Sequence, residues 1–235
     1  MTDLTAPLAG WQPPPLPPRA PLQGAWVRLE PLEPAHAPDL WSAVAGHDSL
    51  WDYMPYGPFA TAGEHAAWIA AQAASRDPLF FALVDRSTGK AGGVASWLRI
   101  APAAGSIEIG HICLGPRIAG SRAATEAWAQ MMGWAFGAGY RRVEWKCNAA
   151  NLPSRRAAQR LGMAFEGVHR QAAVVKGRNR DTAWFSVIDG EWPALRAALA
   201  EWLSPANFDA DGRQRKALSG LTRPLLAAAD PALSE

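Results

Sequence analysis

The sequence has few cysteines, little net charge and no long apolar run. Its two cysteines, Cys113 and Cys147, lack the spacing of a metal site, so we expect no metal centre and predict two reduced, buried thiols. A formal net charge of +2, from 23 basic and 21 acidic residues, argues against nucleic-acid binding through bulk charge. No apolar run approaches the roughly 20 residues that cross a bilayer, so no membrane segment is expected.

The chain is long enough for one globular domain with tails. It has 235 residues, of which 49% are hydrophobic, so it can bury a substantial core. Residues 1–10 lack a basic segment followed by an apolar stretch, so we expect no secretion signal and a cytoplasmic protein. The prolines of residues 11–21 predict an extended arm over residues 1–22. A folded domain over 23–203 and a loosely docked C-terminal tail over 204–235 complete the predicted organisation.

Hydrophobic periodicity predicts a meander of strands followed by a β-α-β-α-β-β segment. Thr61 and Glu64 have the spacing of a capping box at the start of a helix. The predicted strands are 25–32, 80–84, 91–99, 106–114, 142–147, 164–175 and 182–188, and the predicted helices are 34–45, 61–75, 122–137, 153–161 and 192–202. This order predicts an α/β fold with a mixed sheet rather than a doubly wound one.

Residues 108–167 are the most informative segment, because a strand there leads through a turn of small residues into a helix without acidic residues at its start. Such a helix leaves free N–H groups that suit a phosphate. The segment resembles the core of the GNAT acyl-CoA N-acyltransferases in the order and spacing of its motifs. These motifs are Glu108-Ile109-Gly110, Ala124-Thr125-Glu126-Ala127, Arg142-Val143-Glu144, and Asn151-x-x-Ser154 followed by Arg160-Leu161-Gly162.

Two later motifs are similar to the GNAT branch related to the ribosomal-protein N-terminal acetyltransferases, the RimJ/RimL type. They are the hairpin Gly177-Arg178-Asn179-Arg180-Asp181-Thr182 and the segment from Ser186 to Pro193. The resemblance extends over about residues 26–202. It implies a mostly antiparallel GNAT-like sheet with flanking helices, in which strands 106–114 and 142–147 form a central, splayed parallel pair. The cleft between these two strands would take the pantetheine arm of acetyl-CoA.

The resemblance also implies a set of residues for the co-substrate. Gly120, Ser121, Arg122 and Ala123 would cradle the pyrophosphate, although Arg122 stands where the family turn has a second small residue. The alternative for Arg122, and equally for Arg117, is a solvated loop arginine. The other implied contacts are Asn151 and Ser154 beside the pantetheine and sulfur, and an N–H group near Ile112, Cys113 or Leu114 for the thioester oxygen.

Glu108 and Ser154 are the candidate catalytic residues. Glu108 or His111 could take the amine proton directly or through water, and alternation in a regular strand would place them on opposite faces. A structural strand carboxylate and a half-buried histidine are the alternatives. Many family members have a tyrosine as general acid where this chain has Ala158, so Ser154 becomes the candidate acid, or no acid is needed. Asn151 could equally be a simple helix N-cap.

The acceptor is the least defined part of the reaction. The aromatic, proline-containing loop 51–59 is either a cap over the core or a wall of the acceptor site, and we favour the wall. The resemblance implies direct attack of a primary amine, on a small molecule or a protein N-terminus, without a cysteine nucleophile. The rival hypothesis is a non-catalytic acyl-CoA-binding sensor or scaffold, suggested by Ala158 and Arg122. A homodimer is left open.

Overall fold

The structure is a computed structural model that describes residues 7–233. One eight-stranded sheet carries helices on both faces. Its strands are β1 Leu22–Gln23, β2 Val27–Pro31, β3 Leu79–Asp85, β4 Lys90–Ala101, β5 Ser106–Leu114, β6 Arg142–Asn148, β7 Ala164–Val175 and β8 Arg178–Ile188. The helices are α1 Ala37–Val44, α2 Ala62–Ala73, α3 Arg122–Gly137, α4 Leu152–Arg160, α5 Trp192–Leu203 and α6 Leu218–Thr222.

The strand order is β1-β2-β3-β4-β5-β6-β8-β7, and only the β5–β6 pair is parallel. The pairing of β5 with β6 stops at Ile109 and Trp145, although β5 continues to Leu114 and β6 to Asn148. The two strands therefore part in the middle of the sheet. The predicted fold class, a mixed and mostly antiparallel sheet with one central parallel pair, is confirmed.

The sheet separates two hydrophobic clusters because neighbouring side chains of a strand point to opposite faces. Phe80 packs with Leu40 of α1 and Ile69 of α2, whereas Phe81 belongs to the cluster that includes Met131 of α3 and Leu199 of α5. All six side chains are at most 2% exposed. This alternation fixes α1 and α2 on one face of the sheet and α3 and α5 on the other.

Capping residues set the helix starts that the sequence predicts. Helix α3 begins after Ser121, whose Oγ accepts a hydrogen bond from the backbone N–H of Ala124. Thr61 caps α2 by accepting from Glu64 N, as predicted, while the Glu64 carboxylate accepts from the N–H of Ala60. Helix α3 spans the predicted range, residues 122–137. The sequence predicts this range because the cap and the apolar face that define the helix both come from neighbouring residues.

Glu126 ties α3 to the beginning of the domain. Its buried carboxylate accepts hydrogen bonds from the backbone N–H groups of Ala25, Trp26 and Val27 at 2.8, 2.6 and 2.9 Å. A Cβ added at Gly24 would lie 2.2 Å from this carboxylate, so only glycine fits there. The Glu126 carboxylate of the Ala-Thr-Glu-Ala motif therefore joins α3 to the residues that lead into β2.

The two ends of the described chain pack on the domain. The proline-rich arm lies along the surface as an extended strap, with Tyr140 Oη donating to the carbonyl of Pro15 at 3.1 Å. The expectation of a loosely docked tail is wrong. Asp230 is 1% exposed and makes a two-pronged ion pair with Arg155 of α4 at 2.5 and 2.6 Å. Within residues 7–233, no helix is long and apolar enough to cross a membrane.

Candidate functional site

A cleft of about 1020 Å³ opens beside the point where β5 and β6 part, and we call it the large cleft. It lies between the N-terminus of α3, helix α4 and the segment after α5. Its lining has three arginines, Arg122, Arg156 and Arg160, and no acidic residue. The lining also includes Ile112, Leu114, Gly120, Ser121, Trp145, Asn151, Ser154, Trp202 and Phe208. This charge balance suits an extended, phosphate-bearing ligand.

The turn before α3 has the geometry of an anion site. Gly120 has a φ of 70°, which glycine adopts without strain, and no atom lies within 4 Å of a Cβ added there. Ser121 uses its Oγ for capping, and the first turn of α3 has no acidic side chain. Since the first N–H groups of a helix have no partner inside it, those of Arg122 and Ala123 are free to bind an anion.

Arg122 is held between two aromatic rings. Its guanidinium carbon lies 4.0 Å from the ring centre of Trp26 and 4.2 Å from that of Phe208. Such stacking fixes the plane of the guanidinium and leaves its edge free to donate to an anion. Sequence reasoning missed Phe208, which comes from the predicted tail. The tail carried no recognisable motif, so nothing in the sequence indicated that it reaches the cleft.

Three of the predicted co-substrate residues do not line the large cleft. Arg117 is exposed outside it. The Cys113 side chain packs with the cluster on the α1–α2 face of the sheet, where burial raises the pKa of its thiol to about 12. Ala123 is 5% exposed and packs in the opposite cluster, so it could contribute only its N–H group. The remaining predicted residues, Ile112, Leu114, Gly120, Ser121, Arg122, Asn151 and Ser154, do line the cleft.

A second cavity of about 130 Å³, which we call the small cavity, adjoins the large cleft at the parting of the strands. The two share four lining residues, Ile112, Trp145, Asn151 and Ser154. Tyr53, Met54 and Pro55 of the loop 51–59 form part of its wall, and Glu108, His111, Arg99, Lys146 and Arg180 bring its charged or polar side chains. The structure therefore brings the predicted base, the predicted acid and the aromatic loop to one place.

Glu108 is held in a buried charge network. Its Oε2 lies 2.7 Å from Arg99 Nε and 2.8 Å from Lys146 Nζ, and its side chain is 4% exposed. Lys146 also pairs with Glu144 at 3.1 Å and lies 3.6 Å above the ring of Trp184. Both cations make their closest contact with the same oxygen, so Oε1 is the carboxylate oxygen farther from positive charge. This second oxygen is the one that could accept a proton.

His111 lies in a bulge that regular alternation does not predict. Between the pairs Ser96–Gly110 and Val94–Cys113, two residues of β5, His111 and Ile112, lie opposite one residue of β4, and His111 has a φ of 50°. The expectation that Glu108 and His111 point to opposite faces is therefore wrong, because both line the small cavity. Burial, and then the nearby Arg99 and Arg180, lower the pKa of His111 to about 4. The ring is neutral at pH 7, and its Nδ1 lies 2.9 Å from Tyr56 Oη.

Ser154 and Asn151 begin helix α4. Asn151 Oδ1 accepts from the N–H of Ser154 at 3.1 Å, which is the predicted capping contact. Ser154 Oγ accepts a hydrogen bond of 3.0 Å from the indole N–H of Trp145. With its oxygen occupied as an acceptor, the hydroxyl of Ser154 can donate its proton either to the neighbouring Cys147 sulfur or to a ligand in the shared lining of the two cavities.

Comparison with known proteins agrees with this geometry. A family profile described as acetyltransferase (GNAT) domain matches residues 27–164. A GCN5-related N-acetyltransferase from Brucella melitensis is 47% identical, over 92% of this chain and 100% of its own, with a TM-score of 0.90. A GNAT-family protein from Chromobacterium violaceum is 40% identical, over 83% of this chain and 98% of its own, with a TM-score of 0.77.

A more distant structure, the microcin C7 self-immunity acetyltransferase MccE in complex with acetyl-CoA and AMP, shares the fold at 20% identity. It covers 70% of this chain and 93% of its own, with a TM-score of 0.62. No curated protein sequence matches the chain.

The sheet with its parted central strands and the arginine-lined cleft define an acyl-CoA-dependent transferase. The chain belongs to the GNAT N-acetyltransferase family. Acetyl-CoA is therefore its acetyl donor. Among residues 7–233, no group of three or more histidine, cysteine or acidic side chains is placed to hold a metal ion.

Proposed function

We propose that the protein transfers the acetyl group of acetyl-CoA directly to a primary amine in a ternary complex, without an acetyl-enzyme intermediate. The observation that carries this proposal is the shared lining of the two cavities at the parting of β5 and β6. A thioester entering from the large cleft and an amine entering from the small cavity would meet there. When the thioester and the amine are held side by side, the amine can attack directly, so no covalent acetyl-enzyme is needed.

The co-substrate would lie with its pyrophosphate on the turn before α3 and its pantetheine arm along Ile112 and Leu114. The arginines of the large cleft would balance the phosphate charge, and the unpaired N–H groups of β5 beyond Ile109 would face the thioester oxygen. Neither cysteine is proposed as a nucleophile. Burial raises the pKa of both thiols, which leaves them protonated at neutral pH.

Glu108 is the proposed base, and His111 is its rival. Oε2 of Glu108 is fixed by Arg99 and Lys146, which leaves Oε1 to take the amine proton directly or through a water molecule. His111 is neutral at pH 7, but its low pKa makes it a weak base. The supporting observation for Glu108 is therefore a carboxylate in the wall of the small cavity that two cations anchor through the same oxygen.

Ser154 is the proposed proton donor to the departing thiolate. Its hydroxyl accepts from Trp145 and lies in the shared lining, where a thiolate would compete with the Cys147 sulfur for its proton. The Ala158 side chain, at the position of the family tyrosine, is fully buried and offers no acid. Ser154→Ala should reduce turnover by about tenfold while acetyl-CoA affinity is retained, and unchanged turnover would return Ser154 to a structural role.

The acceptor is proposed to be an α-amino group of a protein N-terminus or a small-molecule amine of similar basicity. An α-amino group, with a pKa of about 7.7–8.0, is partly neutral at pH 7 and needs less help from a base than a lysine. Membership in the RimJ/RimL-like branch is part of this proposal and depends on the hairpin and on the segment after Ser186. The cytoplasmic location follows as a proposal from the acetyl-CoA requirement.

A thiol-release assay tests enzyme against sensor. The wild-type protein is incubated with acetyl-CoA and a mixed panel of primary amines, and free CoA thiol is followed with time. Amine-dependent release is expected. Stabilisation by acetyl-CoA in a thermal-shift assay without release for any amine would support the alternative, a non-catalytic acyl-CoA sensor.

A further inference from the structure

Positive charge exceeds negative charge around the small cavity. Arg99, Lys146 and Arg180 line it, and among residues 7–233 Glu108 is the only acidic side chain that does. Lys146 is not available to bind a ligand, because its side chain is 3% exposed and already contacts two carboxylates. Arg99 binds Glu108 through Nε alone and keeps 60% of its side chain exposed. The wall of the small cavity beside the proposed amine site is therefore positively charged.

Arg180 is the unpaired member of this wall. No carboxylate in residues 7–233 forms an ion pair with it. Its Nε is buried and has no hydrogen-bond partner in that part of the chain. The adjacent Asp181 does not compensate it, since that carboxylate binds the N–H of Gln171 and the amide of Asn179 on the other side of the strand. A buried donor without a partner is unfavourable, so a carboxylate that draws the guanidinium toward it and satisfies this donor gains binding energy.

The surrounding structure holds Arg180 in place. It lies on β8 next to the hairpin turn, and Lys176 of that turn donates to the carbonyl of Trp51 at 2.9 Å. This contact ties the hairpin to the loop 51–59, which forms the opposite wall of the small cavity. The position of Arg180 therefore depends on two anchored segments, and a bidentate partner would find it preorganised.

We propose that the acceptor carries a carboxylate in addition to its amine, and that Arg180, assisted by the exposed edge of Arg99, binds this carboxylate. This inference deepens the proposed function, because it names the class of acceptor for the same site. The amine would lie toward Glu108 and the shared lining, and the carboxylate toward the hairpin. An acceptor of this kind matches both charges of the cavity, a cation to Glu108 and an anion to Arg180.

The test compares acceptors that differ only in that charge. One pair is the peptide amide Ala-Glu-NH2 against Ala-Gln-NH2, and a second pair is a free amino acid against its amide, with rates corrected for the neutral fraction of each amine. We expect kcat/KM to favour the carboxylate of at least one pair by about tenfold or more. Preference in the first pair alone indicates a peptide acceptor, and preference in the second a free amino acid.

Two variants test whether Arg180 causes the preference for an acceptor with a carboxylate. Arg180→Gln should bring the ratio of the two kcat/KM values close to one. Arg178→Gln is the matched control, because Arg178 lies two residues away on the same strand, is exposed and does not line the small cavity. Equal rates for both members of each pair in the wild type, or the same ratio in both variants, would overturn the inference.

A binding measurement separates this inference from the proposed function. Thermal stabilisation is measured in the presence of CoA with N-acetyl-Ala-Glu-NH2 and N-acetyl-Ala-Gln-NH2. Selective stabilisation by the glutamate product, lost in Arg180→Gln, would support carboxylate binding even if no amine were acetylated. Acetylation of amines without any carboxylate preference would leave the proposed function standing and remove the inference.

Discussion

The two oxygens of Glu108 have different surroundings, and this division carries the proposed base chemistry. Oε2 is the oxygen nearest to both Arg99 and Lys146, and Oε1 lies farther from them. A carboxylate anchored on one side can hold its orientation while the other oxygen handles a proton. The same two cations explain why Glu108 tolerates burial, since an ion removed from water needs a close partner.

Glu108→Gln should lower turnover at pH 7 and recover partly as the pH rises. The amide keeps the shape but cannot accept a proton, so reaction then depends on amine that is already neutral in solution, a fraction that grows through about pH 8. The measurement is kcat/KM from pH 6.5 to 9.5 for both proteins. Superimposable profiles would contradict a base role and leave water or His111 as the base.

His111 predicts a specific loss of stability in acid. Its pKa is about 4 in the folded protein and about 6.5 in the unfolded chain, so the unfolded state takes up a proton first. The stability that the neutral ring contributes is complete above pH 6.5 and is lost as the pH falls toward 4, by as much as about 3 kcal/mol.

Denaturant unfolding at pH 7 and pH 4.5 tests whether stability falls in acid because of His111. The free energy of unfolding of His111→Gln should fall less between the two pH values than that of the wild type. His47→Gln, which changes an exposed histidine, is the control and should follow the wild type. A variant His111→Gln that follows the wild-type curve would contradict the assigned burial effect.

The turn before α3 suits an anion because its backbone is open and no acidic side chain repels the ligand. Gly120 supplies a positive φ, and the first helical turn carries no acidic side chain. Gly120→Glu should reduce acetyl-CoA affinity by tenfold or more, because a carboxylate at the helix N-terminus competes with the phosphate.

Calorimetric titration with acetyl-CoA measures this loss against two controls. Gly120→Ala has the same backbone strain without the charge. Gly89→Glu places a glutamate at another turn, with the same φ of 70° and nothing within 4 Å of the added Cβ. Equal affinities in all three variants would remove the phosphate site from this turn.

The C-terminal tail docks on the domain through several contacts, among them the buried ion pair of Asp230 with Arg155 and the hydrogen bond from Thr222 Oγ1 to the carbonyl of Arg160. Asp230→Ala should lower the free energy of unfolding by about 3 kcal/mol, since it leaves Arg155 charged and buried. Glu201→Ala breaks the exposed pair with Lys216 and should cost less than about 1 kcal/mol. Chemical denaturation of both variants gives the comparison, and similar losses would show that the tail pair contributes little.

At the scale of the whole molecule, the sequence predicted what local patterns determine. The succession of strands and helices along the chain, the helix over residues 122–137 and the caps at Thr61 and Asn151 follow from periodicity and side-chain chemistry within a few residues. The family resemblance added the parallel pair, whose parting the pairing of β5 with β6 displays.

Three features could not be read from the chain because they depend on contacts between distant residues. The bulge at His111 exists through the pairing of β4 with β5, and it reverses the face on which that side chain lies. The docking of the tail depends on Arg155 and Asp230, which are 75 residues apart. The stacking of Arg122 joins rings from both ends of the domain, Trp26 and Phe208.

The fate of the acetyl group tests the central claim most directly. Isotope-labelled acetyl-CoA is mixed with the protein and an amine that supports thiol release, and both amine and protein are followed by mass spectrometry from the first turnover. The geometry predicts labelled N-acetyl amine in equal amount to free CoA, with no labelled acetyl-enzyme at any time. A labelled acetyl group on the protein that forms first and then passes to the amine would contradict direct transfer across the two cavities.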